Sequence, residues 1–239
     1  MMPMVALGGL GLMFTKAYSA TNTSIVSPTM IWSRKFNPNS ALRPWSINAK
    51  GDMAAPSSLQ FELRPGDQTS IEQDIIDNRE RSEISGFPSP LNFDRNYRFT
   101  SSFTLSGYTG ASTWLIFMQV KQTIAGENIK ILSFELRASG KWRINVRSDS
   151  SPVNETSLYI SPLPLKQDVN HSLSVLLRIG KSGPSALQVK LDGTYVLKMD
   201  NAPLGFAAGE SQYFKLGLYR PASSDICIID HLTPRLAAI

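Results

Sequence analysis

The chain has 239 residues, of which 42% are hydrophobic and 18% charged, and its formal net charge is +5. This composition allows one large domain with a sizeable core and excludes a disordered chain. The single cysteine, Cys227, excludes an intrachain disulfide and a cysteine-based zinc site, and we expect it to be a small buried hydrophobe. The positive charge favours an anionic partner, but no dense run of Lys and Arg indicates a nucleic-acid-binding tail.

The first twenty residues have two interpretations. Val5 to Phe14 is an apolar run of the length of a signal-peptide core, and small residues follow it. However, no Lys or Arg precedes the run, and Lys16 lies after it. We therefore expect residues 1–20 to be a signal peptide or a disordered N-terminus, and residues 21–239 to form a single domain. We expect the protein to be secreted or periplasmic, and it has no apolar stretch of the ~18 residues that a membrane span needs.

Alternating, β-branched and aromatic runs dominate the rest of the chain and predict strands. In chain order the predicted strands are Met30–Phe36, Ser58–Leu63, Arg79–Ser85, Tyr97–Leu105, Thr113–Gln122, Ile129–Ala138, Trp142–Arg147, Leu173–Ile179, Ala186–Leu191, Tyr195–Met199, Gln212–Tyr219 and Asp225–Asp230. Ser139-Gly140 and Asp192-Gly193 predict hairpin turns. Residues 148–170, rich in Pro, Ser and Asn, predict a long surface loop.

About twelve strands without an internal repeat indicate an all-β protein, either a two-sheet sandwich or a jelly roll. One sheet of such a fold often curves, and its concave face can carry a long groove. Side chains that share the groove face of neighbouring strands are therefore the candidates for a functional site.

The first candidate run is the strand at 79–85. Arg79, Arg81 and Glu83 share one face of it, because side chains alternate along a strand. A guanidinium can hold a substrate carboxylate through two parallel hydrogen bonds. The alternative is a solvated face with cross-strand ion pairs.

The second candidate run is the strand at 212–219. Tyr213, Lys215, Gly217 and Tyr219 share one face, whereas the intervening Phe and Leu residues supply the core. Gly217 leaves room for something to approach the backbone. The alternative is an exterior face with two amphipathic tyrosines.

The third candidate run is the strand at 113–122. We predict that Gln119 and Lys121 share a face with Leu115 and Phe117, so that a polar pair ends an apolar row. Such a pair indicates the place where a buried strand meets a groove. The alternative is a strand end that emerges into water.

Together these runs resemble the three motifs of the jelly-roll polysaccharide lyases, which include alginate lyases, glucuronan lyase and heparin lyase I. The matching segments are Arg81-Ser82-Glu83-Ile84, Gln119-Val120-Lys121 and Tyr213-Phe214-Lys215-Leu216-Gly217-Leu218-Tyr219-Arg220. Their order and spacing are similar to the family's, and the resemblance covers residues 30–232. It implies a concanavalin A-like jelly-roll sandwich with a concave substrate groove. Tyr219-Arg220 differs from the usual alginate-lyase ending, so glucuronan and heparin lyases resemble the chain more.

The resemblance also implies a reaction, β-elimination on an acidic, uronate-containing polysaccharide. Arg81 and Gln119 would neutralise the uronate carboxylate, and Tyr213 would act as the acid or as both acid and base. A tyrosine acts as a base only when nearby cations stabilise its phenolate. The remaining side chains expected to bind the anionic substrate are Arg79, Glu83, Gln122, Lys215, Tyr219 and Arg220.

One position departs from the family pattern, because Lys121 stands where the family places a histidine two residues after the motif glutamine. Three explanations stay open: Tyr213 serves as both base and acid, Lys121 with a lowered pKa is the base, or activity is lost. We expect the two histidines of the chain, His171 and His231, to be structural.

Two other classes compete with a lyase. The same sandwich serves as a non-catalytic carbohydrate-binding module, since a fold alone does not decide function. Alternatively, the acidic run at 72–77 resembles the acidic strand of jelly-roll β-glucanases, although it also suits a surface turn. We expect a monomer that binds neither nucleic acid nor membrane and requires no cofactor. A structural Ca²⁺ is compatible with the fold but has no supporting motif.

Overall fold

The computed structural model describes residues 31–32, 47–50, 56–67, 72–85 and 91–239. Within these ranges the chain is almost entirely β, as predicted. The strands are β1 Ile31–Trp32, β2 Ile47–Lys50, β3 Ser58–Leu63, β4 Arg79–Ser85, β5 Asn96–Ser106, β6 Trp114–Ile124, β7 Glu127–Arg137, β8 Lys141–Ser148, β9 Ser151–Pro164, β10 His171–Arg178, β11 Ser185–Leu191, β12 Thr194–Ala202, β13 Ser211–Pro221 and β14 Cys227–Ala238. One short helix, α1 Glu72–Ile76, precedes β4. The described residues contain no helix long and apolar enough to cross a membrane.

These strands form two antiparallel sheets, which pack face to face as a sandwich. The first sheet has the order β1-β4-β13-β6-β7-β8-β9, and the second has the order β12-β11-β10-β5-β14-β3-β2. Strands distant in sequence lie side by side, as β4 and β13 do. This connectivity explains how the three candidate runs, far apart in the chain, reach one sheet.

The core lies between the sheets and is filled by aromatic and branched side chains. Phe103 of β5 stacks on Phe117 of β6 at 5.8 Å between ring centroids, and Phe99 lies 5.1 Å from Phe214 of β13. Each pair joins one sheet to the other. Burial of such a side chain contributes about 1.5–3 kcal/mol, so these contacts fix how the two sheets pack.

Most predicted strands within the described residues are confirmed, and the segment at 148–170 is the main error. Residues 1–20 and most of the predicted strand Met30–Phe36 lie outside the described residues. Residues Ser151–Pro164 form β9, which pairs with β8 at the edge of the first sheet. Proline suits an edge strand, because it lacks the N–H that a central strand must donate. The prolines in this segment predicted a loop, but they lie in the edge strand β9 of the first sheet.

The turns follow the predicted chemistry. Asp192 and Gly193 both have positive φ, 49° and 79°, and close the β11–β12 hairpin as predicted. Gly140, with φ of 73°, lies in the predicted turn between β7 and β8. Ala125 and Gly126 make a similar turn between β6 and β7, at φ of 49° and 81°. The sequence did not reveal this turn, because alanine rarely adopts positive φ.

A β-bulge corrects the predicted face of β6. The pairing of β6 with β7 and with β13 slips near Phe117, so the alternation of side chains breaks there. Leu115 and Phe117 therefore belong to the core rather than to the face of Gln119 and Lys121. Ile116 takes the place opposite Tyr219 instead.

Candidate active site

Three neighbouring strands of the first sheet bring the three candidate runs together. Tyr219 of β13 lies opposite Arg81 of β4. On the other side of β13, Lys215 lies opposite Gln119 of β6, and Tyr213 lies opposite Lys121. Directly opposed residues have Cβ atoms about 4.5–5.5 Å apart. One face of the sheet thus brings together side chains that lie between positions 79 and 219 of the sequence.

Glu83 is the centre of a buried hydrogen-bond network. Its Oε2 accepts bonds from Arg81 Nη1 and Lys215 Nζ, each at 2.5 Å. Its Oε1 accepts a bond from Gln119 Nε2, also at 2.5 Å. Charge-assisted bonds of this kind are among the strongest in proteins. One carboxylate therefore holds three of the candidate site residues in a fixed arrangement.

Asp74 of α1 closes the same network from the other side. Its two oxygens accept bonds from Arg81 Nε and Nη2, both at 2.8 Å. Asp74 is buried, at 2% exposure. This corrects both interpretations of the acidic run at 72–77, because the run forms a helix rather than a strand or turn. Its buried carboxylate orients Arg81 and is not placed to flank a glycosidic bond.

The charge state of the network follows from its contacts. Burial alone would raise the pKa of Glu83, but the charges of Lys215 and Arg81, with bonds from Lys215 and Gln119, lower that pKa to about 2. Burial opposes the charged form of Arg81 as well, yet Glu83 and Asp74 raise its pKa. Both groups therefore stay ionised at neutral pH.

Two groups beside the network have pKa values shifted in opposite directions. Burial raises the pKa of Tyr213, and the negative charge of Glu83 adds to that rise. Burial lowers the pKa of Lys121, and the positive charge of Arg81 lowers it further. Burial also lowers the pKa of Lys215, to about 8, despite its bond to Glu83. Tyr213 thus stays a phenol, while Lys121 loses its proton more readily than an ordinary lysine.

A row of cations and aromatic rings extends from the network along the sheet. The Arg81 guanidinium carbon lies 3.9 Å from the centroid of the Tyr219 ring. That ring lies 5.3 Å from Trp114, and Arg79 covers Trp114 at 4.9 Å. Cation–π contacts of this kind contribute about 0.5–2 kcal/mol each. They keep Arg81 and Tyr219 in position.

A groove of about 340 Å³ runs over this face of the first sheet. Its lining residues are Arg79, Trp114, Gln119, Lys121, Asn128, Ile129, Lys130, Arg147, Glu155 and Tyr219. On the far side of Lys121, Glu155 of β9 forms ion pairs with Lys130 at 2.7 Å and Arg147 at 3.5 Å. Lys121 and Arg79 form no ion pair with another described residue. The side chains of both residues are thus available to a ligand in the groove.

Two predicted substrate-binding residues lie on the opposite face of the sheet. Arg220 is fully buried and donates to Glu80 Oε2 and to the Asp225 carbonyl oxygen, at 2.7 and 2.6 Å. Gln122 is also fully buried and bonds to the backbone of Phe206. Strand alternation turns both side chains toward the core. Neither reaches the groove, and both predictions are corrected.

The remaining predicted residues lie together at the site, but at different depths. Arg79, Lys121 and Tyr219 line the groove. Arg81, Glu83, Tyr213 and Lys215 lie deeper, each less than one-tenth exposed. Glu83 bonds to Arg81, Lys215 and Gln119, which suits a positioning role better than direct substrate binding.

Both histidines and the cysteine lie outside this site. His171 Nδ1 contacts Asp192 Oδ2 at 2.8 Å, and its Nε2 contacts the Lys166 carbonyl oxygen at 2.9 Å. His231 is fully buried among phenylalanine rings, and burial lowers its pKa to about 3. Cys227 is fully buried, and burial raises its pKa to about 12. All three occupy strands of the second sheet.

Several residues of the site or its groove have no local sequence signal. Asp74 lay in an acidic run that predicted a turn, and Glu155 lay in the segment predicted as a loop. Trp114 and Lys130 lie in predicted strands, but the sequence does not show which strands pair with them and so does not place them at the groove. Among the described residues no group of three or more His, Cys, Asp or Glu side chains converges as a metal site would require.

The β-sandwich and its groove, lined by Arg, Gln, Lys and Tyr, suit a protein that binds a polysaccharide. The chain belongs to the polysaccharide lyase family, whose model matches residues 27–231. It is therefore a polysaccharide lyase. No curated protein sequence matches it.

Solved structures of lyases share the fold at low sequence identity. The endo-β-1,4-glucuronan lyase of the fungus Trichoderma reesei has a TM-score of 0.64 and 10% identity, over 91% of this chain and 95% of that one. A family 7 alginate lyase, A1-II′, has a TM-score of 0.55 and 13% identity, over 83% and 85% of the two chains. The alginate lyase of Corynebacterium sp. has a TM-score of 0.53 and 14% identity, over 85% and 86%. Likeness at such identities demonstrates a common fold.

Proposed function

We propose that this lyase cleaves a polyuronate by β-elimination, with Lys121 as the base and Tyr213 as the acid. The observation that carries this assignment is their direct opposition across β6 and β13, combined with pKa shifts in opposite directions. Paired titratable groups with pKa values pushed apart are typical of acid–base sites.

The reaction needs three events at one sugar unit. A base removes the proton on the ring carbon next to the carboxylate, the bond to the leaving glycosidic oxygen breaks, and an acid protonates that oxygen. The products are an unsaturated uronide and a new chain end. Negative charge builds on the carboxylate during proton removal, so preorganised donors beside it lower the barrier.

Lys121 and Tyr213 divide the two proton transfers. The neutral amine of Lys121 takes the carbon-bound proton, and the phenol of Tyr213 gives its proton to the leaving oxygen. The resulting ammonium and phenolate are neighbours, so a proton passes from Lys121 to Tyr213 and restores the starting state. General acid–base steps of this type contribute about 10²–10⁴-fold to a rate.

Arg81 and Gln119 are the proposed donors to the substrate carboxylate. A guanidinium has five N–H groups, and the bonds to Asp74 and Glu83 use three of those on Arg81. Two N–H groups of Arg81 therefore remain to donate to a substrate. The Gln119 amide has two N–H groups and uses one in its bond to Glu83, so its second N–H can also donate. Fixed in place by Glu83, these donors need little reorganisation when charge develops.

We propose glucuronan as the first substrate to test and alginate as the second. The support is the higher TM-score with the glucuronan lyase than with the two alginate lyases, together with the Tyr219-Arg220 ending. A polymer of this kind does not cross membranes, so we also propose that the enzyme is secreted or periplasmic.

The decisive experiment follows the ultraviolet absorbance of the unsaturated uronide on glucuronan, alginate, heparin, heparan sulfate and hyaluronan. We expect absorbance to grow on one polymer with the wild type and to be lost with Tyr213→Phe, which keeps the ring and removes the acid. Tyr159→Phe is the matched control and should stay active, because Tyr159 lies in the edge strand β9 of the same sheet and does not line the groove. Binding of a polymer without any absorbance would contradict the proposal and favour a carbohydrate-binding role.

A further inference from the structure

The outward face of the second sheet carries two adjoining depressions, about 280 and 130 Å³ in volume, which share Ser174 and Lys190. They lie on the sheet that holds neither Tyr213 nor Lys121. Their other lining residues include Arg98, Thr100, Ser172, Leu176, Gln188 and Tyr195. Most of these side chains are hydroxyls, amides or cations.

The strand register arranges these groups as a continuous row across four strands. Thr100 of β5 lies opposite Ser174 of β10, Ser174 lies opposite Lys190 of β11, and Lys190 lies opposite Tyr195 of β12. Adjacent strands are about 4.8 Å apart, so the row spans roughly 14 Å. A second row runs parallel to the first across the same four strands. In it Arg98 lies opposite Leu176, Leu176 lies opposite Gln188, and Gln188 lies opposite Lys198.

The charged side chains within the two rows are all cations. Lys190, Lys198 and Arg98 form no ion pair with another described residue. Neither depression has an Asp or Glu in its described lining. Two carboxylates border the rows: Asp192 accepts a bond from the Ser172 backbone N–H and contacts His171, and Asp200 accepts a bond from the Gln188 amide.

An exposed aromatic ring completes the site. Tyr195 is 49% exposed, and the ammonium groups of Lys190 and Lys198 lie 4.3 and 5.7 Å from its centroid. These contacts hold the ring and both cations in one cluster at the end of the hydroxyl row. A ring bordered by hydroxyls and cations offers a sugar apolar contact, hydrogen bonds and neutralisation of its carboxylate together.

From this arrangement we infer a second, non-catalytic binding site for an anionic polysaccharide strand on the second sheet, centred on Lys190 and Tyr195. The occupant is a polyuronate segment, so the inference rests on the proposed function for the identity of the polymer. The site would hold the enzyme on long chains, because two linked contacts raise the local concentration of substrate at the groove.

The test compares Lys190→Ala/Tyr195→Ala with the control Lys166→Ala, an exposed lysine outside both depressions. All are built on Tyr213→Phe, so that polymer stays intact during affinity electrophoresis in gels containing glucuronan or alginate. We expect the double variant to bind polymer ~10-fold more weakly and the control to bind as the parent does. Equal retardation of the double variant and the control would overturn the inference.

Turnover separates this inference from the proposed function. With Tyr213 intact, the double variant should cleave a short oligosaccharide at the wild-type rate but lose several-fold in kcat/KM on the polymer. If no uronan is cleaved yet the double variant alone loses polymer binding, the proposed function fails and the second site stands. If anionic phosphatidylserine vesicles or DNA, but no polysaccharide, bind through Lys190 and Tyr195, the inference is overturned.

Discussion

Lys121 is the residue at which this chain departs from the histidine of the family pattern. Its pKa is lowered by burial and by Arg81, so we expect kcat/KM to rise with pH as the amine loses its proton. The activity should fall again once Tyr213 ionises, which its raised pKa places at a higher pH than for an ordinary tyrosine.

Lys121→His should shift the rising limb of this profile toward pH ~6.5, because an imidazole titrates there when unperturbed. Lys121→Met should lower kcat by about 10²–10⁴-fold by removing the base. The measurement is kcat/KM against pH on the substrate that the polymer panel identifies. A Lys121→Met enzyme with the wild-type rate would instead make Tyr213 both acid and base.

Glu83 holds Arg81, Lys215 and Gln119 at once, so its removal should affect both stability and rate. Glu83→Gln leaves two buried cations without their shared carboxylate, which should lower the free energy of unfolding by about 3–5 kcal/mol. We expect kcat to fall as well, because Arg81 and Gln119 lose their orientation. Thermal melting and single-turnover kinetics report the two effects separately.

The pH dependence of stability gives an independent check on Glu83. Its folded pKa of about 2 lies below its ordinary value of 4.5, so its contribution is present above pH 4.5 and lost as pH falls through 2. Glu83→Gln should therefore lose less stability than the wild type over this window. Glu62→Gln, which removes a partly exposed ion pair with Arg64, is the control and should cost under about 1 kcal/mol. Identical acid unfolding of the wild type and Glu83→Gln would contradict this role.

At the scale of elements, β13 depends on a glycine where it passes β4. Gly217 has φ of 136°, and a Cβ there would lie 2.2 Å from the Ser82 carbonyl oxygen. The sequence predicted that something approaches the backbone at this glycine, and the neighbouring strand is what does so. β4 and β13 carry Arg81, Tyr213 and Lys215, so their spacing sets the geometry of the site.

Gly217→Ala should lower the free energy of unfolding by roughly 3 kcal/mol, because a backbone oxygen cannot move aside cheaply. For a domain of this size that corresponds to a melting temperature roughly 6–12 °C lower. Gly126→Ala is the matched control, since it also has positive φ, 81°, but no atom within 4 Å of the added Cβ. Equal losses in the two variants would show that φ, and not the contact with β4, matters at Gly217.

At the scale of the whole molecule, the net charge of +5 should assist capture of a polyanion. Added salt screens such attraction, with a Debye length of about 10 Å at 0.1 M. We expect KM for the polymer to rise several-fold between about 0.05 and 0.5 M NaCl, whereas kcat changes little because the Glu83 network is buried. Steady-state kinetics over a salt series measures this, and a KM that does not respond to salt would contradict it.

The sequence by itself determined the fold class, most strand positions and the three runs that form the site. It did so because strand alternation and turn residues act over a few positions, and because Arg81, Gln119 and Tyr213 stand in motifs. Only the tertiary structure decided which side chains reach the groove. The β-bulge near Phe117 put Leu115 and Phe117 on the core face of β6. The segment predicted as a loop forms the edge strand β9, and the Arg220 side chain lies in the core. Asp74 and Glu155 joined the site through contacts between distant strands and a helix, which no local pattern encodes.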